Sequence, residues 1–197
     1  MLRVLSNKTV NDDFIIIQKV IAGNTDAFAI LVDRYKDLAI SLAFNVLLDK
    51  EDAEDIVQDS FIKAFGALST FKGDAKFATW FYRIVLNTAL NKRKGKRLVT
   101  IDMEALTPGD ENDGRFPDLT HCTTQQQRKY IQQALKYLSE GERICITLYY
   151  LHDLSLNEIQ ELTAYSTANI KVLLFRGRKQ LYHALQRILK TEIEDLI

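Results

Sequence analysis

Five residues suited to gripping a nucleic acid recur at spacings of three and four: Trp80, Arg83, Asn87, Asn91 and Lys94. On a helix beginning near Lys76 those spacings place all five on one stripe. The chemistry is that of a single strand. A Trp ring stacks on an unpaired base, Asn donates to and accepts from base edges, and Arg and Lys neutralise phosphates. A merely solvated helix face is more often Glu and Lys, and this stripe runs into the cationic cluster Lys92, Arg93, Lys94, Lys96 and Arg97. Phe77, Phe81, Ile84, Val85 and Thr88 lie beside it and are placed to face a core. For single residues the plainer alternative stays open, with Trp80 a buried anchor and the Asn residues helix surface.

The stretch just before is of opposite character. Val57, Phe61, Ala64, Phe65 and Leu68 repeat at helical spacing and should face the core, leaving Asp55, Gln58 and Asp59 on an exposed face. That face adjoins the acids Glu51, Asp52, Glu54 and Asp55. Such a face is either simply solvated or meets a basic or polar protein partner.

The block DAEDIVQDSFIKAF (52–65) followed by FKGDAKFATWFYRIVLNTALNKRK (71–94) resembles the conserved region two of bacterial sigma-70 family factors of the extracytoplasmic-function (ECF) group. The resemblance implies that Asp55, Gln58 and Asp59 contact the clamp helices of the RNA polymerase β′ subunit. It implies that Phe71 through Lys76, with Lys72 among them, form the loop that holds a flipped base. It places Trp80, Arg83, Asn87 and Asn91, with Lys92 and Arg93 following, on the minus-ten strand.

Composition fits without proving this. At 197 residues the chain has room for one large or two small domains with cores, and 47% apolar content makes it globular. Only two Pro and eight Gly, with no run of strict alternation, argue for an all-α chain. Formal net charge is zero, which by itself speaks weakly against a nucleic-acid binder. The charges are segregated, however: from Ser60 to Arg97 the cations face Asp74 alone, while acids gather at 51–59 and 102–118. Cys122 and Cys145 are the only cysteines, without a CxxC or a Cys/His cluster at metal spacing, so no metal site is expected and a reducing cytoplasm is the natural setting. No nucleophile, triad or phosphate-cradling loop is evident, so the chain is expected not to be an enzyme and to need no cofactor. The first fourteen residues lack the pattern of a signal peptide, and no apolar run approaches the roughly eighteen residues of a membrane span.

In chain order, a loose tail should end where Asn11–Asp13 caps a helix through Phe14, Ile17, Val20 and Ile21 to Gly23. A second helix, from Asn24 or Thr25, carries Phe28, Leu31, Val32, Tyr35, Ala39, Leu42, Ala43, Val46 and Leu47 as core. Asp49–Asp52 turns into the acidic helix. Residues 98–124 hold Pro108, Pro117, Gly109, Gly114 and a majority of acids among their charges, which reads as a flexible acidic linker. The expected architecture is therefore two helical domains, 1–97 and 125–197, joined by a linker at 98–124.

In the second domain Ile131, Ala134, Leu135 and Leu138 repeat at helical spacing. Ser139–Glu142 and Ser155–Glu158 are capping boxes opening two helices. A turn at Thr163–Thr167 then leads to a long helix with Ile170, Leu174, Leu181 and Leu185 inside, a helix-turn-helix. Thr167, Ala168, Asn169 and Lys171 are placed to enter a major groove, and Arg176, Arg178 and Lys179 to hold phosphates. Residues 138–181 resemble ECF region four, which reads the minus-thirty-five element. Val172-Leu173-Leu174 departs from relatives that carry another basic or polar residue there, and Leu173 is a candidate for a thymine methyl or a protein partner.

Together, resemblance over 11–95 and 125–187 implies a specificity subunit that binds core RNA polymerase (β′ clamp helices, β flap) and promoter DNA. It also implies an anti-sigma factor that holds the protein inactive, and no direct membrane insertion. From residues alone, a stand-alone regulator using 139–182 and a purely protein-binding helical scaffold stay open.

Overall fold

The computed structural model describes residues 3–95 and 123–194, and these are helical apart from caps and turns. The chain divides into two compact units, Met1–Arg97 and Leu98–Ile197. The expected linker lies outside the described residues except at its end: Thr123 caps the next helix and Thr124 begins it. Cys122, Lys96 and Arg97 also lie outside them.

The first unit contains α1 (Arg3–Ile21), a 3₁₀ turn at Thr25–Ala27, and α2 (Phe28–Leu47). Then come α3 (Lys50–Ala67), a second 3₁₀ turn at Leu68–Thr70, and α4 (Phe77–Gly95). Helices α2, α3 and α4 pack against one another, with α1 laid across α2. The apolar spacing sets these contacts: Leu31, Leu42, Val46, Phe77, Phe81, Val85 and Leu86 are fully buried, each worth about 1.5–3 kcal/mol of transfer free energy. An aromatic spine ties the helices together. Phe61 of α3 stacks on Phe81 of α4 at 4.4 Å between centroids, Phe81 on Phe77 at 5.9 Å, and Phe77 meets Tyr35 of α2 at 5.4 Å.

Three sequence expectations change here. The loose tail is helical, since α1 starts at Arg3, so Asn11–Asp13 lies inside a helix and not at its start. Asp13 is instead buried and accepts hydrogen bonds from Arg34 and Tyr35 of α2, which pins the two helices together. Burial raises the Asp13 carboxyl above the usual carboxylate range against the pull of those two donors. Phe65, expected in the core, is 42% exposed and meets Phe28 of α2 edge-on at 5.1 Å. At the other junction Asp49 is itself the N-cap of α3, accepting from the Asp52 backbone N–H at 2.9 Å.

The second unit has α5 (Thr124–Leu135), α6 (Glu140–Ile146) continuing into a π-helical turn at Thr147–Leu151, α7 (Leu156–Thr163) and α8 (Thr167–Glu194). Both expected capping boxes form, and Thr123 with Gln126 makes a third. Helix α8 is the axis on which α5, α6 and α7 pack. Tyr130 and Ala134 of α5 meet Ala184 and Leu185 of α8, with Leu181 alongside. Gly177 lets α6 and α8 cross closely: a Cβ there would lie 2.8 Å from Ile146 Cγ1. Cys145 is fully buried and burial pushes its thiol up to about 11, so it acts as core packing. The α7–α8 turn is tight because Ala164 takes the left-handed conformation, φ 59°.

Candidate nucleic-acid and partner interface

Helix α4 places its polar stripe outward. Arg83, Asn87, Asn91 and Lys94 are exposed, while Phe77, Phe81 and Val85 on the opposite face are buried. Trp80 is half-buried. Its ring sits 5.5 Å from Phe71 and 5.6 Å from Phe77, so neither a deeply buried anchor nor a free ring describes it. Phe71 and Trp80 thus form an aromatic corner at the start of α4, rooted in the spine and partly open to solvent. Between them the loop exposes Lys72, Gly73, Asp74 and Ala75, with Lys76 half-buried.

Helix α3 turns Asp55, Gln58 and Asp59 to solvent, at the wall of a groove of about 480 Å³ shared with α4. The far wall includes Asn91 and Lys92. Lys92 bridges the walls: its ammonium lies 2.9 Å from Asp52 Oδ1 and 3.7 Å from Asp55 Oδ2. The hydrogen bond to Asp52, with the charge of both acids, holds the ammonium's pKa above its ordinary value. Lys63 crosses the same groove and donates to Thr88 Oγ1 at 3.3 Å. Arg93 is half-buried, and desolvation lowers its pKa. The residues expected to face two different partners therefore meet along one groove, which spacing within a single helix does not reveal.

In the second unit the first turns of α8 present Ala168, Asn169, Lys171 and Val172 to solvent. Ser166 Oγ accepts from the Asn169 backbone N–H at 3.2 Å, closing the helix start. Thr167 is half-buried, its hydroxyl donating to Gln160 Oε1 of α7, so part of its bonding capacity braces the turn. Further along, Arg176 and Arg178 are exposed, Arg178 donating to Tyr150 OH at 3.4 Å, and the half-buried Lys179 holds its ammonium 5.7 Å above the Phe175 ring. Leu173 is not on the exposed face. It is half-buried and turned toward α6, where a Cβ on Gly141 would meet its methyls at 3.4 Å. The exposed apolar residues are its neighbours Val172 and Phe175, at 45% and 56%.

Residues 31–98 match the family model for sigma-70 region 2, and residues 128–181 that for sigma-70 region 4. Over 185 residues, 90% of this chain and 96% of the relative, the chain is 31% identical to the ECF RNA polymerase sigma-E factor of Salmonella typhimurium. It is 34% identical to the ECF RNA polymerase sigma factor SigW of Bacillus subtilis over 86% of this chain and 95% of that one. The chain is an ECF sigma factor of the sigma-70 family.

Two solved structures share the fold of this sigma factor: CnrH in complex with the cytosolic domain of CnrY (TM-score 0.63, 23% identity, 88% of this chain and 96% of that one), and the sigma factor RpoE in complex with the anti-sigma factor NepR from Bartonella quintana (TM-score 0.59, 22% identity, 81% and 96%). The all-α architecture expected from composition is the one found. Sigma factors are transcription-initiation factors. Among the described residues of this one, no helix is long and apolar enough to cross a membrane. Sequence reasoning missed the Lys92 bridge, the inward turn of Leu173 and the place of Phe14, whose ring lies against Gly73 of the loop. The first two depend on which helices become neighbours. For the third, Gly73 between Phe71 and Lys76 was the available signal.

Proposed function

We propose that this sigma factor joins core RNA polymerase through the α3 face of Asp55, Gln58 and Asp59, directed at the β′ clamp helices, with the β flap as a second contact. The minus-ten strand is captured by Phe71, Lys72, Lys76, Trp80, Arg83, Asn87, Asn91, Lys92 and Arg93. Helix α8 enters the major groove at the minus-thirty-five element, with Thr167, Ala168, Asn169 and Lys171 near base edges and Arg176, Arg178 and Lys179 near phosphates. The observation that carries this proposal is the pairing on one small bundle of an exposed acidic face and an exposed Arg/Asn face beside an aromatic corner. An acidic surface repels DNA and suits a protein partner, while the neighbouring stripe suits a single strand.

The working division is a polymerase- and minus-ten-binding domain at 1–97, a linker at 98–124 and a minus-thirty-five-binding domain at 125–197. Each domain alone buries little area and binds DNA weakly, and linking both to polymerase supplies the effective concentration that makes promoter binding tight. Nucleotide chemistry belongs to the polymerase and the sigma factor is no enzyme. It works in the cytoplasm and is held inactive by an anti-sigma partner, a reading supported by the structural relative RpoE, which was solved in complex with the anti-sigma factor NepR. The test is reconstitution: the purified chain should co-elute with bacterial core polymerase and direct transcripts from discrete sites on genomic fragments. A chain that ignores polymerase yet shifts duplex DNA alone would overturn the proposal.

A further inference from the structure

We propose that Phe14 is a positioning residue for promoter opening, its ring the back wall that holds the 71–76 loop in shape to receive a base. This rests on the strand-capture proposal above. Helix α1 is fixed to α2 by Asp13, which Arg34 and Tyr35 clamp. The next residue, Phe14, faces outward and is 41% exposed, so its ring adds little to the core of the bundle. What it touches is the loop. Gly73 has φ +79°, and a Cβ built on it would lie 3.2 Å from Phe14 Cε2 and 3.4 Å from Cδ2. The ring therefore rests on the Gly73 backbone at the loop's middle.

The ends of the loop are held separately. Phe71 meets Phe77 at 5.9 Å and Trp80 at 5.5 Å, and Phe77 leans on Tyr35. Lys72, Gly73, Asp74 and Ala75 are all exposed, and the contact with Phe14 restrains the middle. Fixing a residue's backbone costs conformational entropy, and a loop ordered before the base arrives does not charge that cost to binding. Gly73 suits the position twice: its left-handed φ strains any side chain, and a Cβ there would crowd the ring at 3.2 Å. Phe14 thus acts through the loop and touches no base itself.

The experiment uses holoenzyme reconstituted from core polymerase and the full chain, on promoter fragments mapped as above. A single abasic site is placed in turn at each minus-ten position of the non-template strand, and opening is followed by 2-aminopurine fluorescence. Wild type should show one position where base removal slows opening strongly. Phe14→Ala should slow opening on intact DNA about tenfold and lose most of the extra penalty at that one position, keeping the penalties elsewhere. Polymerase association and the melting temperature should stay at wild-type values, and Phe14→Tyr should restore both the rate and the penalty. An unchanged abasic penalty in Phe14→Ala, wild-type opening, or a parallel loss of association and melting temperature would each overturn the proposal. If wild type itself shows no sensitive position, strand capture fails first and this inference fails with it.

Discussion

Lys92 of α4 reaches across the groove to Asp52 of α3, its ammonium 2.9 Å from Oδ1, with Asp55 at 3.7 Å. One cation thus ties the proposed strand-binding helix to the proposed polymerase-binding helix. A partly exposed pair of this kind contributes about 1 kcal/mol or less. Lys92→Gln should lower the melting temperature of the chain by about 2–6 °C and reduce the salt dependence of promoter binding by holoenzyme only slightly, because Asp52 and Asp55 already hold most of its charge. Arg83, exposed on the stripe, behaves differently: Arg83→Gln should reduce that log–log salt slope by roughly one unit. A slope that falls equally in both variants would show that Lys92 leaves the acids for phosphate.

The groove also decides which Asn is the better probe of strand binding. Asn91 lines it together with Asp55, Gln58 and Asp59, so its replacement disturbs both proposed surfaces. Asn87 lies one turn earlier on the exposed stripe and outside that lining. Asn87→Ala should slow promoter opening by at least tenfold, about 1.4 kcal/mol, while sparing co-elution with polymerase. Asp55→Lys with Asp59→Lys should do the reverse and abolish co-elution. Loss of co-elution in Asn87→Ala would mean that the stripe supports the bundle.

How much of this was written in the sequence depends on distance along the chain. Helix α4 and its stripe, the core positions of α2 and the two capping boxes Ser139–Glu142 and Ser155–Glu158 follow from spacings within four residues, and local periodicity is enough to place them. Asn11–Asp13 reads as a cap because Asn and Asp before an apolar run are the usual start signal, and only the partners Arg34 and Tyr35 show that Asp13 is an interior polar tie. The departure at Val172-Leu173-Leu174 makes Leu173 a candidate for an outside contact, and only its neighbour Gly141 on α6 shows that the side chain turns inward. The roles of the site residues toward polymerase and DNA are legible only through the resemblance, since no spacing rule names a partner.

Gly177 gives a test of how tightly the helix-turn-helix unit is packed. Ala in place of Gly in a helix interior gains about 1 kcal/mol of propensity. Here the new methyl would lie 2.8 Å from Ile146 Cγ1 and 3.4 Å from Glu142 Cβ, and overpacking of a formed interface costs about 1–3 kcal/mol. The clash wins because Ile146 is buried and its Cγ1 is not a free end. Gly177→Ala should therefore lower the denaturant midpoint. In an Ile146→Ala background, where the obstructing atom is gone, the same change should raise it. A higher midpoint in both backgrounds would show that α8 shifts away from α6 at little cost.

His152, at the end of the π-helical turn, gives a prediction in pH. Burial lowers its imidazole from 6.5 to about 4, because the charged form is stripped of water. Below 6.5 the unfolded chain takes up a proton at this position that the folded chain refuses until pH nears 4. Stability from this group is therefore complete above pH 6.5 and falls as pH drops, by about 2 kcal/mol at pH 5. Carboxylates also titrate toward the acid end, so the readout is a difference: the pH dependence of urea unfolding in wild type against His152→Met. Between pH 7 and 5 wild type should lose stability more steeply than the variant, whatever their absolute values at pH 7. Parallel curves would mean that the folded protein protonates His152 without penalty and that the buried ring opens to solvent on the way.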